Sequence, residues 1–244
     1  MKQFFLTARL GLSFARELCF PLGCALCGMP LLKPYEARRG LCSACASLFE
    51  LDLDEQRCER CGKPLISETK ICIPCRTMAE APAFDRAFAL YPYTGKWRQL
   101  LGAYKFGSHR PLAQFFAEKL CRAADAFLDN SNDWEWTPVP ARAGKVKEKG
   151  WDQIETIAHV LKNAHHMPVR QTLKRLQSDS QKELGREKRL TNLKGRIVSL
   201  APASRNVILF DDVYTTGSTL NVCAGVLKAA GAERVYGLCL FYGQ

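Results

Sequence analysis

The stretch VILFDDVYTTGSTL, residues 207–220, decides the fold. Val207 to Phe210 form a continuous apolar run with no polar alternation. That pattern belongs to a strand covered on both faces, the condition of a parallel sheet in an α/β protein. Two adjacent carboxylates, Asp211 and Asp212, come directly off the end of this strand. The turn Thr215-Thr216-Gly217-Ser218-Thr219 then opens a helix that runs to Gly231. Such a turn offers backbone N–H groups, hydroxyls and the positive end of a helix dipole, together a cradle for a phosphate monoester. The acids beside it can accept hydrogen bonds from vicinal sugar hydroxyls. Ligands of open α/β sheets bind at the carboxyl ends of the strands, where this order of residues puts them.

Working outward, strand and helix patterns alternate from residue 84 to the end. FDRAFALYPY (84–93) reads as a strand, and VYGLCLF (235–241) as the last one. Residues 112–128 carry Leu112, Phe115, Phe116, Leu120, Ala123 and Phe127 at helical spacing, and 152–164 carry Ile154, Ile157, Ala158 and Leu161. The expected architecture is a mainly parallel sheet flanked by helices over 84–244. A small-residue boundary at 79–83 separates it from an N-terminal module over 1–80.

Cysteine spacing defines that module. Eight of the 12 cysteines form four C-x-x-C pairs: Cys24/Cys27, Cys42/Cys45, Cys58/Cys61 and Cys72/Cys75. A C-x-x-C turn presents two thiolates to one metal at roughly 2.3 Å, and two turns close a tetrahedron. Two structural Zn²⁺ sites follow, and a disulfide framework is disfavoured because no export signal precedes the knuckles. Sequence-adjacent pairing of the knuckles is the simplest, and an interleaved cross-brace stays open. Cys19, Cys121, Cys223 and Cys239 read as ordinary buried thiols.

The formal net charge of the 244 residues is +11. Eight zinc-bound thiolates would lower it to about +7, so an anionic partner, nucleic acid or a phosphorylated metabolite, fits either way. No apolar stretch reaches the roughly 18 residues of a spanning helix. The first 20 residues read as a short amphipathic helix through Leu6, Leu10, Phe14 and Leu18 rather than a targeting segment, and reduced thiols suit a cytoplasmic protein.

Four hydrophobics, Asp-Asp, a hydrophobic, one residue and Thr-Thr-Gly-x-Thr resemble the phosphoribosyl pyrophosphate (PRPP) motif of type I phosphoribosyltransferases. Joined to N-terminal knuckles, the chain is similar to the ComF family of competence and DNA-uptake proteins, which includes GntX-like members. The likeness extends to WTPVPARAGKVKEKGWDQ (136–153), AYKFGSHR (103–110) and the basic segment 173–197. It implies a phosphoribosyltransferase-like domain after a double zinc ribbon. Asp211 and Asp212 would hold the ribose hydroxyls and favour a cationic ribose, as catalytic residues if transfer occurs. Thr215, Thr216, Gly217, Ser218 and Thr219 would grip the 5′-phosphate. Lys105, Arg142, Lys149 and Gln153 would face the pyrophosphate with Mg²⁺, and a hood would carry Arg175, Gln181 and Arg189. Asp152 departs from the family's asparagine and puts an acid near the pyrophosphate. The implied function is PRPP binding in DNA uptake or processing, with single-stranded DNA and the uptake machinery as partners. Trp97, Trp151 and the basic 170–196 segment are the nucleic-acid-facing candidates. Phosphoribosyl transfer to a small nucleobase, or a zinc-ribbon adaptor with a non-catalytic loop, are the competing readings.

Overall fold

The computed structural model describes residues 22–52, 54–78, 80–107, 109–128, 133–142, 150–176 and 195–243. The expected helix within the first 20 residues, Cys19, Lys149, Gln181 and Arg189 lie outside them. After the short helices α1 (Pro34–Arg39), α2 (Ser43–Ala46) and α3 (Ile73–Arg76), the chain runs β1 (Arg86–Pro92), α4 (Gly95–Phe106), α5 (Leu112–Phe127), β2 (Trp134–Pro138), α6 (Gln153–Ala164), β3 (Leu173–Arg175), β4 (Ile197–Ser199), β5 (Asn206–Tyr214), α7 (Ser218–Ala229) and β6 (Arg234–Tyr242). β1, β6, β5 and β2 form, in that order, a four-stranded sheet with every pairing parallel. β3 and β4 pair antiparallel as a separate ribbon. β5 is longer than the apolar run suggests: it continues through Asp211 and Asp212 to Tyr214, still in register with β6. The acids therefore sit on the strand, stiffened by its ladder, rather than on a loop beyond it.

Alternate residues of each strand face opposite sides, so the sheet has two cores. Phe88, Leu90, Ile208, Phe210, Leu238 and Leu240 pack with the apolar stripes of α5 and α6. Ala87, Ala89, Val207, Leu209, Val235 and Cys239 pack with Leu220, Cys223, Ala224 and Leu227 of α7. Burying each of the larger aliphatic or aromatic side chains contributes roughly 1.5–3 kcal/mol.

The cysteine segment joins both cores. Cys24, Cys45 and Phe49 belong to the α5/α6 side, whereas Cys58, Cys61, Cys72 and Cys75 belong to the α7 side. Phe49 is fully buried and meets Trp97 edge-on at 4.4 Å between ring centroids. The Cys58/Cys61 knuckle also covers the outer edge of β1. The Ala87 amide donates to the Arg60 carbonyl (2.8 Å), and Arg57 Nη1 donates to the Ala89 carbonyl (3.1 Å). A strand edge left open would invite pairing with another chain. Gly62 makes the seating possible, since a Cβ there would lie 2.5 Å from the Ala87 oxygen and the Phe88 Cα.

Candidate functional site

A cleft of ≈ 330 Å³ opens at the carboxyl ends of β5 and β2. Its lining brings together Asp211 and Asp212 of β5, Thr219 in the first turn of α7, and Arg142 just beyond β2. Lys105 from the last turn of α4, Asp152 and Gln153 at the start of α6, and Arg175 of β3 complete its polar walls. Five separate elements thus converge on one strand end, the place that parallel-sheet topology reserves for ligands.

Asp212 is the hub. Lys105 Nζ lies 2.8 Å from its Oδ2, and Gln153 Nε2 donates to the same oxygen at 2.8 Å. The Lys105 and Asp212 side chains are only 19% and 13% exposed, so solvent screens this pair less than a surface ion pair. Asp211 Oδ1 accepts the Asp212 amide at 2.8 Å, which fixes its carboxylate against the strand. Both acids act on the thiol of Cys239, which burial pushes well above the ordinary range, so that it stays neutral beneath them. Burial lowers the pKa of Arg175, and the neighbouring Arg142 and Arg196 guanidinium groups lower it further. Arg196 was not singled out in the sequence. Its only signal there is membership of a basic segment, and its place near Arg175 comes from the β3–β4 ribbon, at whose end the Leu176 amide donates to the Arg196 carbonyl at 2.7 Å.

The turn after β5 has the form of an anion cradle. Gly217 caps α7 in the left-handed conformation, φ +75, and lies against the Tyr214 ring, with a virtual Cβ 2.5 Å from Tyr214 Oη. Thr216 Oγ1 and Ser218 Oγ share a hydrogen bond at 2.6 Å, and Thr215 and Thr216 are exposed. The Ser218 amide donates to Thr216 Oγ1 at 3.4 Å, and the next two amides of α7 have no intrahelical acceptors by geometry, so they are available to an anion.

Asp152 has a local role. Its Oδ1 accepts from the Ile154 and Glu155 amides at 2.8 and 3.0 Å, as the N-cap of α6. Asparagine and aspartate cap about equally well, which accounts for the exchange at this position. The cap orients Gln153, whose carbonyl accepts the Tyr104 hydroxyl at 2.7 Å while its amide reaches Asp212. Trp97 and Trp151 are half-buried in aromatic packing: Trp97 stacks on Tyr91 at 4.3 Å and Trp151 meets Tyr104 at 5.1 Å. Their faces are engaged within the protein rather than presented to a nucleic-acid strand.

The eight knuckle cysteines form two groups, Cys24/Cys27/Cys42/Cys45 and Cys58/Cys61/Cys72/Cys75, with ligand atoms within 4.8 Å of one another in each. Pairing is therefore sequence-adjacent, and the interleaved alternative does not occur. None of the described cysteines is in a disulfide. A tetrahedron with arms of roughly 2.3 Å has edges of about 3.8 Å. Cys27 and Cys42 Sγ lie 3.8 Å apart, and Cys61 and Cys72 Sγ 3.6 Å. The two units repeat each other. In each, the amide of the third ligand points at the first sulfur (Cys42 to Cys24, 3.5 Å; Cys72 to Cys58, 3.4 Å). In each, a left-handed glycine follows the first knuckle, Gly28 or Gly62. A hydrogen bond from Cys75 lowers the pKa of the Cys61 thiol, and the same contact raises that of Cys75. Both groups fit closed, structural zinc, with all four positions taken by sulfur. They differ in exposure: Cys27 is exposed and Cys42 half-buried, whereas the second set is wholly buried.

Residues 15–76 match the double zinc ribbon domain family. The chain is 27% identical over 196 residues to competence protein ComFC of Streptococcus pneumoniae, covering 80% of this chain and 84% of that protein. It is 28% identical over 209 residues to competence protein F of Haemophilus influenzae, covering 82% and 89%. Over 234 residues it is 27% identical to DNA utilization protein YhgH of Salmonella typhimurium, covering 91% and 98%. Among the described residues, no helix is long and apolar enough to cross a membrane.

Proposed function

Since the chain is a relative of the ComF-type competence proteins with an N-terminal double zinc ribbon, we propose that it is a cytoplasmic PRPP-binding protein acting in DNA uptake or processing. One observation carries the reading: the acid pair, Thr219 at the end of the phosphate turn and three cationic side chains line a single cleft. Thr215 to Thr219 receive the 5′-phosphate on the first turn of α7, where the helix dipole and free amides favour an anion. Asp211 and Asp212 accept the two ribose hydroxyls, and their charge favours positive character at C1. Lys105, Arg142 and Arg175 face the pyrophosphate, and Gln153 holds Asp212 in place. Lys149, proposed for the pyrophosphate, and Gln181 and Arg189, proposed with Arg175 for a hood, lie outside the described residues.

Charge balance argues for a divalent cation with the ligand. Lys105, Arg142 and Arg175 are matched by Asp152, Asp211 and Asp212 in the same walls, so a multiply charged pyrophosphate brings excess negative charge. Oxygen donors such as Asp211 and Asp212 fit Mg²⁺, which would supply that neutralisation. The apolar lining, Val139, Pro140, Ala141 and Ile154, is aliphatic and suits a sugar face better than a stacked base. PRPP binding is thus better supported than transfer to a nucleobase. The +11 formal charge supports contact with single-stranded DNA.

Parallel titrations with PRPP, ribose 5-phosphate and pyrophosphate, each with Mg²⁺, test the assignment. PRPP should bind more tightly than either half. Pyrophosphate binding as tightly as PRPP would remove the ribose role of the acids. Affinity for single-stranded DNA should fall steeply between low and high salt, and a flat response would refute the electrostatic contact.

A further inference from the structure

The Cys58/Cys61 knuckle of the second zinc site is joined to the phosphate turn by a chain of contacts that begins and ends on backbone. Lys63 follows Cys61 by two residues, and its carbonyl accepts the Cys58 amide at 2.8 Å, so its main chain is part of the knuckle. Its side chain leaves the knuckle and crosses to the end of the sheet. There Nζ donates to the Gly243 carbonyl at 2.8 Å and lies over the Tyr214 and Tyr242 rings, 5.5 and 5.7 Å from their centroids. Gly243 in turn donates its amide to the Tyr214 carbonyl at 2.8 Å. Tyr214 is the last residue of β5, 5% exposed, in one buried cluster with all four cysteines of the second site. Its ring is the surface on which Gly217 rests, and nothing larger than glycine fits there.

We propose that Lys63 and Tyr214 are positioning residues for the phosphate turn, so that the second Cys₄ site, and not the first, sets the geometry with which residues 215–219 receive an anion. The inference rests on the PRPP reading for the identity of that anion, but the strut itself does not. Fixing one end of the turn to a metal-closed knuckle lowers the conformational freedom lost on binding, which is how preorganisation raises affinity. Among the described residues the first ribbon has no equivalent: Met29 stands where Lys63 does, its carbonyl accepting the Cys24 amide at 2.8 Å and its side chain exposed, and the nearby Lys33 lies over Tyr35 within the same ribbon.

The test uses the full-length, zinc-loaded protein and the variants Lys63→Met and Lys33→Met. Methionine keeps the apolar stem over the tyrosines and removes the ammonium. Zinc content, amide hydrogen exchange and affinity for PRPP with Mg²⁺ are measured on each. Lys63→Met is expected to keep two zinc ions, to lose protection selectively in the peptide spanning 214–220, and to bind on the order of tenfold more weakly, as for loss of a charged hydrogen bond. Lys33→Met should match wild type in all three. A merely structural role would raise exchange across the whole sheet, and that result overturns the proposal, as do unchanged exchange and affinity in Lys63→Met. If wild type fails to bind PRPP while Lys63→Met still loosens 214–220, the strut stands and the PRPP reading falls.

Discussion

Gly217→Ala places the phosphate turn under a defined strain. At φ +75 an L-residue costs about 1–2 kcal/mol. The added methyl would also fall 2.5 Å from Tyr214 Oη and 2.8 Å from its Cζ. Tyr214 is 5% exposed, so its ring has little room to retreat, and overpacking of this kind costs about 1–3 kcal/mol. The sum, about 2–5 kcal/mol, must appear in one of two places. If the turn holds its shape, melting falls by about 4–20 °C for a chain of this size. If the turn moves away, stability is largely kept but the first amides of α7 no longer face the cleft, and affinity for a phosphate ester drops. Scanning calorimetry beside a PRPP titration separates the two. A variant with unchanged melting and unchanged affinity would refute the contact between Gly217 and Tyr214 and the fixed geometry built on it.

Three further outcomes are expected. Asp152→Ala should cost about 1 kcal/mol in thermal denaturation by uncapping α6, and Asp152→Asn only a few tenths; equal losses would implicate the charge instead of the cap. Chelation followed with a colorimetric zinc indicator should release two ions in two phases, the faster from the exposed Cys27 site and absent in Cys27→Ser; a single phase would contradict the difference in burial. The Ser43 hydroxyl and amide hydrogen-bond to Glu36 and hold its carboxyl below the ordinary range. Its contribution is therefore complete above the ordinary carboxylate pKa and lost as pH falls through the lowered folded value. Wild type should melt above Glu36→Gln at pH 7, with the gap closing in acid, and a gap that persists in acid would argue against the ionised form.

Legibility in the sequence followed the range of the interactions. The strand–acid–turn–helix order at 207–220 was readable because each step is local: an apolar run, two carboxylates, a left-handed glycine and a helix start. The knuckles were readable for the same reason, but their pairing was not, since the spacings serve adjacent and interleaved pairing alike. α4 escaped because its buried face is narrow, limited to Leu100, Leu101 and Tyr104. β3 and β4, three residues each, carry too few positions for a period. The continuation of β5 through Asp211 to Tyr214 was hidden because its polar residues lie where the helices no longer cover the sheet. The contacts of Arg57, Gly62 and Lys63 with strands some 25 to 180 residues away have no local signal at all. Asp152 lies in the cleft wall as its position in the sequence suggests, but its cap on the Ile154 and Glu155 amides had no signal beyond the start of a helix.

The most direct test of the central claim is calorimetric titration of the zinc-loaded protein with PRPP and Mg²⁺, wild type beside Asp212→Asn. The account expects one site per chain with micromolar affinity. It expects a loss of about 10- to 100-fold in the variant, as for one charged hydrogen bond to a ribose hydroxyl, with two zinc ions retained. Equal affinity in the two proteins, or no binding in either, would contradict it.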